Sequence, residues 1–174
     1  MVSYIDFPSI LDDYLGRARR IGSPGAIFKL DLDQFREVVD TYGHGAGDSI
    51  LRDMASVVQE RLPSTALISR TGGDEITAIL PDADRTVAYA STEHMRVALA
   101  GHPFAVQVIP NAGDISIVHI TCSIGLALYP DDLPAHVGIA DERSHIIELC
   151  NRLLADAKKA GGDRTRVPAT WPIQ

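Results

Sequence analysis

The chain has 174 residues, 45% of them hydrophobic and 22% charged, the ordinary balance of one globular domain large enough to bury a sizeable core. A formal net charge of −7 weighs against a nucleic-acid surface. No apolar run approaches the roughly 20 residues of a membrane span, and Met1-Val2-Ser3-Tyr4 opens no signal peptide, so the expectation is a cytoplasmic chain without nucleic-acid or membrane partners.

In chain order, a helix is predicted from about Ser9 to Arg20, with Arg17, Arg19 and Arg20 read as one solvated basic face. A buried strand follows over 26–32, then a helix from Gln34 to Tyr42, with Asp33 read as its N-cap. A second helix over about Gly47 to Arg61 carries Leu51, Met54, Val58 and Leu62 at core spacing, so the methionine reads as packing. Ala66-Leu67-Ile68 and Ile76-Thr77-Ala78-Ile79-Leu80 read as a β-hairpin, with Gly72 and Gly73 supplying the positive φ of a tight turn. A helix over about 83–100 leads to strands at about 104–109 and 115–129, joined by the turn signal Asn111-Ala112-Gly113-Asp114. The last helix runs from Glu142 to Ala160 with Ile146, Ile147, Cys150, Leu153, Leu154 and Ala157 on one face, and Gly161 and Gly162 stop it. Cys122 in an apolar strand and Cys150 on that stripe read as buried, reduced thiols. Strands alternating with helices predict an α/β (α+β) fold, a central mixed sheet covered by helices.

Two acidic clusters carry the chemistry. Asp31-Leu32-Asp33 ends the first strand where a helix begins, the place at which an α/β sheet presents ligands. Arg70-Thr71-Gly72-Gly73-Asp74-Glu75 puts two adjacent carboxylates at the hairpin turn. If the strand lies beside the hairpin, Asp31 and Asp74 converge, and two carboxylates with a backbone carbonyl make an all-oxygen site suited to Mg²⁺. The amides of Gln34, Phe35 and Arg36 then form a phosphate cradle at a helix N-terminus.

Asp31-Leu32-Asp33-Gln34-Phe35, Tyr42-Gly43-His44 with Gly47-Asp48, Arg70 to Glu75, Thr121-Cys122-Ser123-Ile124-Gly125 and Ala157-Lys158-Lys159-Ala160-Gly161 stand in the order and spacing of the GGDEF domain of diguanylate cyclases. The chain resembles that family over roughly 20–167. The resemblance implies a palm-like nucleotidyl cyclase domain over 22–170, a helical lead-in over 1–21 and a tail over 171–174. It implies two Mg²⁺ (or Mn²⁺) ions held by Asp31, the Leu32 carbonyl and Asp74, with Asp74 or Glu75 assisting deprotonation of an attacking 3′-hydroxyl. It also places Arg36 and Lys158 on the terminal phosphates and Val39 and Asp48 at the base. The implied substrate is a nucleoside triphosphate, GTP first, and the implied assembly a homodimer or a pairing with a different partner.

Departures from the family pattern qualify this. Val39 stands where the family usually has a guanine-binding asparagine, Gly162 where it has a phosphate-binding arginine, and Ile76 where it has phenylalanine. Arg164 and Arg166 are the candidate stand-ins for the lost arginine. Pro63 and Ala66 occupy the arginine and aspartate positions of the product-inhibition motif, and Ile10 to Leu15 lack the family's usual lead-in segment. His44 reads as a turn or packing residue. Three functions follow: a cyclase joining two GTP molecules, the same chemistry on ATP or a mixed pair, and a non-catalytic nucleotide- or partner-binding module.

Overall fold

The computed structural model describes residues 6–107, 114–135 and 137–171. In chain order the elements are α1 (Phe7–Ile21), β1 (Gly25–Leu32), α2 (Phe35–Tyr42), α3 (His44–Arg61), β2 (Leu67–Arg70), β3 (Glu75–Pro81), α4 (Arg85–Gly101), β4 (Phe104–Gln107), β5 (Ile115–Val118), β6 (Cys122–Tyr129), a 3₁₀ turn (Ile139–Asp141), α5 (Glu142–Lys159) and β7 (Arg164–Arg166).

Five strands form one sheet in the order β2-β3-β1-β6-β7, antiparallel except for the β6–β7 pair, and β4 and β5 form a separate two-stranded sheet. β1 lies at the centre and is buried along nearly its whole length, which is why it reads as a continuous apolar run. Its side chains alternate between two cores. Phe28, Leu30 and Leu32 pack with Ile50 and Met54 of α3 and Met95 and Leu99 of α4, whereas Ile27 packs on the other face with Leu11 and Leu15 of α1 and Ile146 and Cys150 of α5. Each such fully buried side chain contributes about 1.5–3 kcal/mol of transfer free energy. Gly125 lets α5 lie directly on β6, since a Cβ there would fall 2.1 Å from the Cys150 carbonyl oxygen. Trp171 is buried as well, its indole N–H donating to Asp132.

Several local expectations are corrected. The strand expected over 115–129 is two strands, β5 and β6, because residues 119–121 leave the pairing and move to a different sheet. The α3 helix starts at His44, three residues before the expected Gly47, and Gly43 at φ 86° takes the sharp turn between α2 and α3. Arg19 does not belong to a wholly solvated face: its guanidinium pairs with Glu142, which also accepts a hydrogen bond from Tyr129. β7 was not legible at all, being three residues of Arg-Thr-Arg with no apolar pattern. The strand end expected at 108–109 and the turn residues 111–113 lie outside the described residues. Among the described residues, no helix is long and apolar enough to cross a membrane.

Candidate active site

The site is built at the C-terminal end of β1. Cross-strand register sets Asp31 opposite Glu75 of β3 on one side and Ser123 of β6 on the other, so hairpin and strand do lie side by side. Asp31 is only 8% exposed and forms an ion pair with Lys158 at the end of α5. Burial pushes the Asp31 carboxyl above the usual range, the Lys158 ammonium draws it down, and the negative charges of Asp74 and Glu75 push it up again. Asp31 is thus the group on which the Lys158 ammonium and the two hairpin carboxylates all act.

The hairpin loop departs from the expected tight turn. Neither Gly72 nor Gly73 has positive φ. Residues 71–74 form a four-residue connection, closed by the Thr71 amide donating to the Glu75 carbonyl and by Arg70 Nε donating to the Gly73 carbonyl, and a loop of that length has no need of a mirror-image turn. Gly72 lies close against Glu75: a Cβ there would sit 3.2 Å from the Glu75 Cβ, so a side chain would push Glu75 by a few tenths of an ångström.

Asp33 is also corrected. It does not cap α2. The cap position falls on Gln34, in a left-handed conformation at φ 56°, and among the described residues no side chain caps the helix or takes up its first-turn amides. The Asp33 carboxylate turns instead to the β6 side, accepting from Thr121 Oγ1 and Ser123 Oγ at 2.6 Å each and from the Asp163 amide at 2.8 Å.

A family model described as "Diguanylate cyclase, GGDEF domain" matches residues 5–164. The chain belongs to the GGDEF domain family. It is 29% identical over 157 residues to diguanylate cyclase DgcP of Pseudomonas aeruginosa, covering 90% of this chain and 21% of that protein. It is 29% identical over 155 residues to diguanylate cyclase DosC of Escherichia coli, covering 88% of this chain and 32% of that protein. It thus spans about a fifth to a third of the length of these curated relatives. The fold agrees with that of the GGDEF domain of DgcB from Caulobacter crescentus, solved in complex with c-di-GMP, at a TM-score of 0.81 and 23% identity over 96% of this chain and 91% of that one.

Within this GGDEF domain the remaining sequence-assigned positions lie on α2, α3 and the segment after α5. Phe35 and Val39 of α2 pack over Gly47 of α3, where a Cβ would meet the Val39 Cγ2 at 2.8 Å, and Asp48 follows as an exposed carboxylate on the neighbouring helix. Arg36 is not brought to the site carboxylates: its side chain is 93% exposed and, among the described residues, approaches Asp40 alone, at 3.8 Å. Leu32 is buried with its backbone at the end of β1. Gly162, at φ 74°, has no room for a side chain, because a Cβ would sit 2.9 Å from the Asp33 Cγ. Arg164 lies in register with Ser123, its Nε bonded to the Gly162 carbonyl.

Among the described residues no three His, Cys, Asp or Glu side chains converge as a metal cluster. The donors available are instead the Asp31 carboxylate, the Leu32 carbonyl and the hairpin carboxylate Asp74, all hard oxygen, around an Asp31 whose charge is disfavoured first by burial and then by Asp74 and Glu75, against the pull of Lys158. That chemistry fits a hard divalent cation, which would relieve the repulsion. Sequence reasoning missed Lys29, whose ammonium lies 3.2 Å from Glu75 Oε2, and the hydroxyls around Asp33. A lysine inside an otherwise apolar strand was the available signal for the first. The second depends on β6 reaching β1.

Proposed function

We propose that this GGDEF domain is a Mg²⁺-dependent nucleotidyl cyclase that condenses two GTP molecules into cyclic di-GMP with release of pyrophosphate. The observation that supports the reading is the cross-strand pairing of Asp31 with Glu75 of the hairpin, together with the Asp31–Lys158 ion pair, in a chain of the family. Asp31, the Leu32 carbonyl and Asp74 would hold two Mg²⁺ or Mn²⁺ ions, which when bound supply charge neutralisation at the phosphates and acidify the attacking hydroxyl.

The chain's own groups do the rest. The free first-turn amides of α2, at Gln34, Phe35 and Arg36, donate to the triphosphate at the positive end of a helix. Lys158 leaves Asp31 for the phosphates, where an ammonium meets a denser negative charge. Asp74 or Glu75 accepts the proton of the 3′-hydroxyl as its oxygen bonds to the α-phosphorus of the second nucleotide. The bond from that phosphorus to the bridging oxygen breaks, and pyrophosphate leaves with the electron pair. A second, equivalent transfer closes the ring. Because each domain holds one nucleotide, the reaction requires two domains face to face, as a homodimer or with a related partner.

The base pocket favours a second substrate reading. Val39 offers a methyl group where guanine's edge calls for a polar partner, while Asp48 still accepts from a purine N–H. The same chemistry on ATP or on a mixed pair is therefore the alternative. Pro63 and Ala66 offer no charge to a cyclic dinucleotide, so product does not feed back at that segment. The test is incubation of the pure protein with GTP, ATP and their mixture in Mg²⁺, with products read by mass spectrometry. Cyclic di-GMP from GTP supports the first reading and a cyclic product containing adenine the second. No product from any triphosphate, at concentrations where the protein is dimeric, overturns both.

A further inference from the structure

Glu75 faces two ways. Its cross-strand neighbour on β1 is Asp31, a like charge directly opposite, which is an unfavourable pairing. Two residues earlier on β1, and so on the same face of the sheet, Lys29 lies opposite Thr77 and reaches diagonally to Glu75. The Lys29 side chain is 13% exposed, and among the described residues Glu75 is the one acceptor within reach of its ammonium. On its other flank Lys29 is paired with Gly125, where α5 sits down on β6, so that side is closed to the chain. The open side is a cleft of about 420 Å³ between α1, α5 and the hairpin, lined by Lys29, Thr71, Glu75 and Thr77 with Arg143 and Ser144. Arg143 is paired with Asp12, and Thr71 and Thr77 share a hydroxyl–hydroxyl bond, so neither competes for Glu75. An ammonium taken this far from water needs a counter-charge, and the nearest is a signature carboxylate of the site.

We infer that Lys29 is a positioning residue that draws Glu75 along their shared face of the sheet toward the cleft, so that a divalent cation held by Asp31 and Asp74 gains this third carboxylate only in competition with the lysine. The inference rests on the metal-dependent reading above and adds to it a residue that composition and motif spacing leave unassigned. Lys29 sets how much of the time Glu75 is available to the cation and to the 3′-hydroxyl.

The readout is Mn²⁺ binding to the nucleotide-free protein by electron paramagnetic resonance, with circular dichroism to verify folding. Lys29→Met tightens binding by roughly 2- to 5-fold, the scale of one part-buried ion pair. Lys29→Arg keeps the wild-type affinity. Lys29→Gln takes the place of the Met variant if that protein does not fold. Loss of any nearby positive charge favours a cation, so the deciding comparison repeats Lys29→Met in a Glu75→Gln background. Tightening that disappears in that background supports the inference, and equal tightening in both reduces Lys29 to a distant charge and overturns it. Unchanged or weaker binding in Lys29→Met, with wild type binding Mn²⁺ through Asp31, overturns it while leaving the metal site intact. Wild type and Asp31→Ala binding Mn²⁺ equally poorly overturns the metal-dependent reading, and the inference with it.

Discussion

Gly162 lies so close to Asp33 that a Cβ on the glycine would sit 2.9 Å from each of the carboxyl carbon and Oδ2. The same carboxylate collects two hydroxyls and one amide from the starts of β6 and β7. Gly162, which the resemblance sets where a phosphate-binding arginine is expected, is in this chain part of a structural knot. Gly162→Ala should lower stability by about 1–2 kcal/mol, combining the left-handed backbone with displacement of Asp33. Asp33→Ala, which strands three donors, should cost about 2–4 kcal/mol. Urea unfolding of both variants checks this, and wild-type midpoints would contradict it.

Asp31→Ala and Asp74→Ala should each abolish turnover and leave the circular dichroism spectrum unchanged. Because burial and the Asp74 and Glu75 charges raise the Asp31 carboxyl, its ionised form is a cost in the metal-free protein. Asp31→Asn should then melt at or above the wild-type temperature at neutral pH, since Lys158 is exposed enough to hydrate once its partner is gone. A large loss of thermal stability would mean that Asp31 serves the fold.

Val39→Asn tests the base pocket. Asparagine on α2 beside Gly47 restores a polar partner for guanine next to Asp48, and GTP preference over ATP should rise by about 1–3 kcal/mol. Competitive turnover of the two triphosphates measures it. An unchanged ratio would place Val39 outside the base contact.

The two cysteines should be inert in the native state. Burial pushes the Cys150 thiol up to about 12, with its Sγ–H donating to the Ile27 carbonyl, and raises Cys122 well above the usual range. At pH 8 alkylation should wait on unfolding, so native protein retains two free thiols and denatured protein loses both. Rapid labelling of either without denaturant would be inconsistent with this packing.

Tyr14 predicts the alkaline limit. Burial first, then the nearby charges of Asp82 and Tyr129, raise its phenol to about 12, against 10.0 for a free side chain. The native state therefore keeps a proton that the unfolded chain releases, and the associated stability is intact below pH 10 and lost as pH rises toward 12. Tyr14→Phe should flatten the fall in unfolding free energy across that window. An identical pH profile in the variant would assign the fall to other groups.

The sequence by itself determined the periodic elements, the family and the two acidic clusters. Apolar spacing on α3 and α5, the buried run of β1 and the Pro-bounded hairpin are local signals, because alternation and helical faces follow from backbone geometry alone. It also identified Asp31, Asp74 and Lys158 as positions of interest, since ordered motif spacing survives in the linear chain. Tertiary structure alone decided what each charged group meets. Asp33 reads as a helix cap from its neighbours, yet its donors are Thr121, Ser123 and Asp163, about 90 to 130 residues away in sequence. Gly72 lies close against the Glu75 side chain and does not use a positive φ, and β7 is paired only along the edge that β6 offers it. Lys29 acquires its role from the register between β1 and β3, which brings it to Glu75 across 46 positions of chain. Local sequence sets backbone preference, but a carboxylate's partner is whichever donor the packed sheet brings within about 3 Å of it.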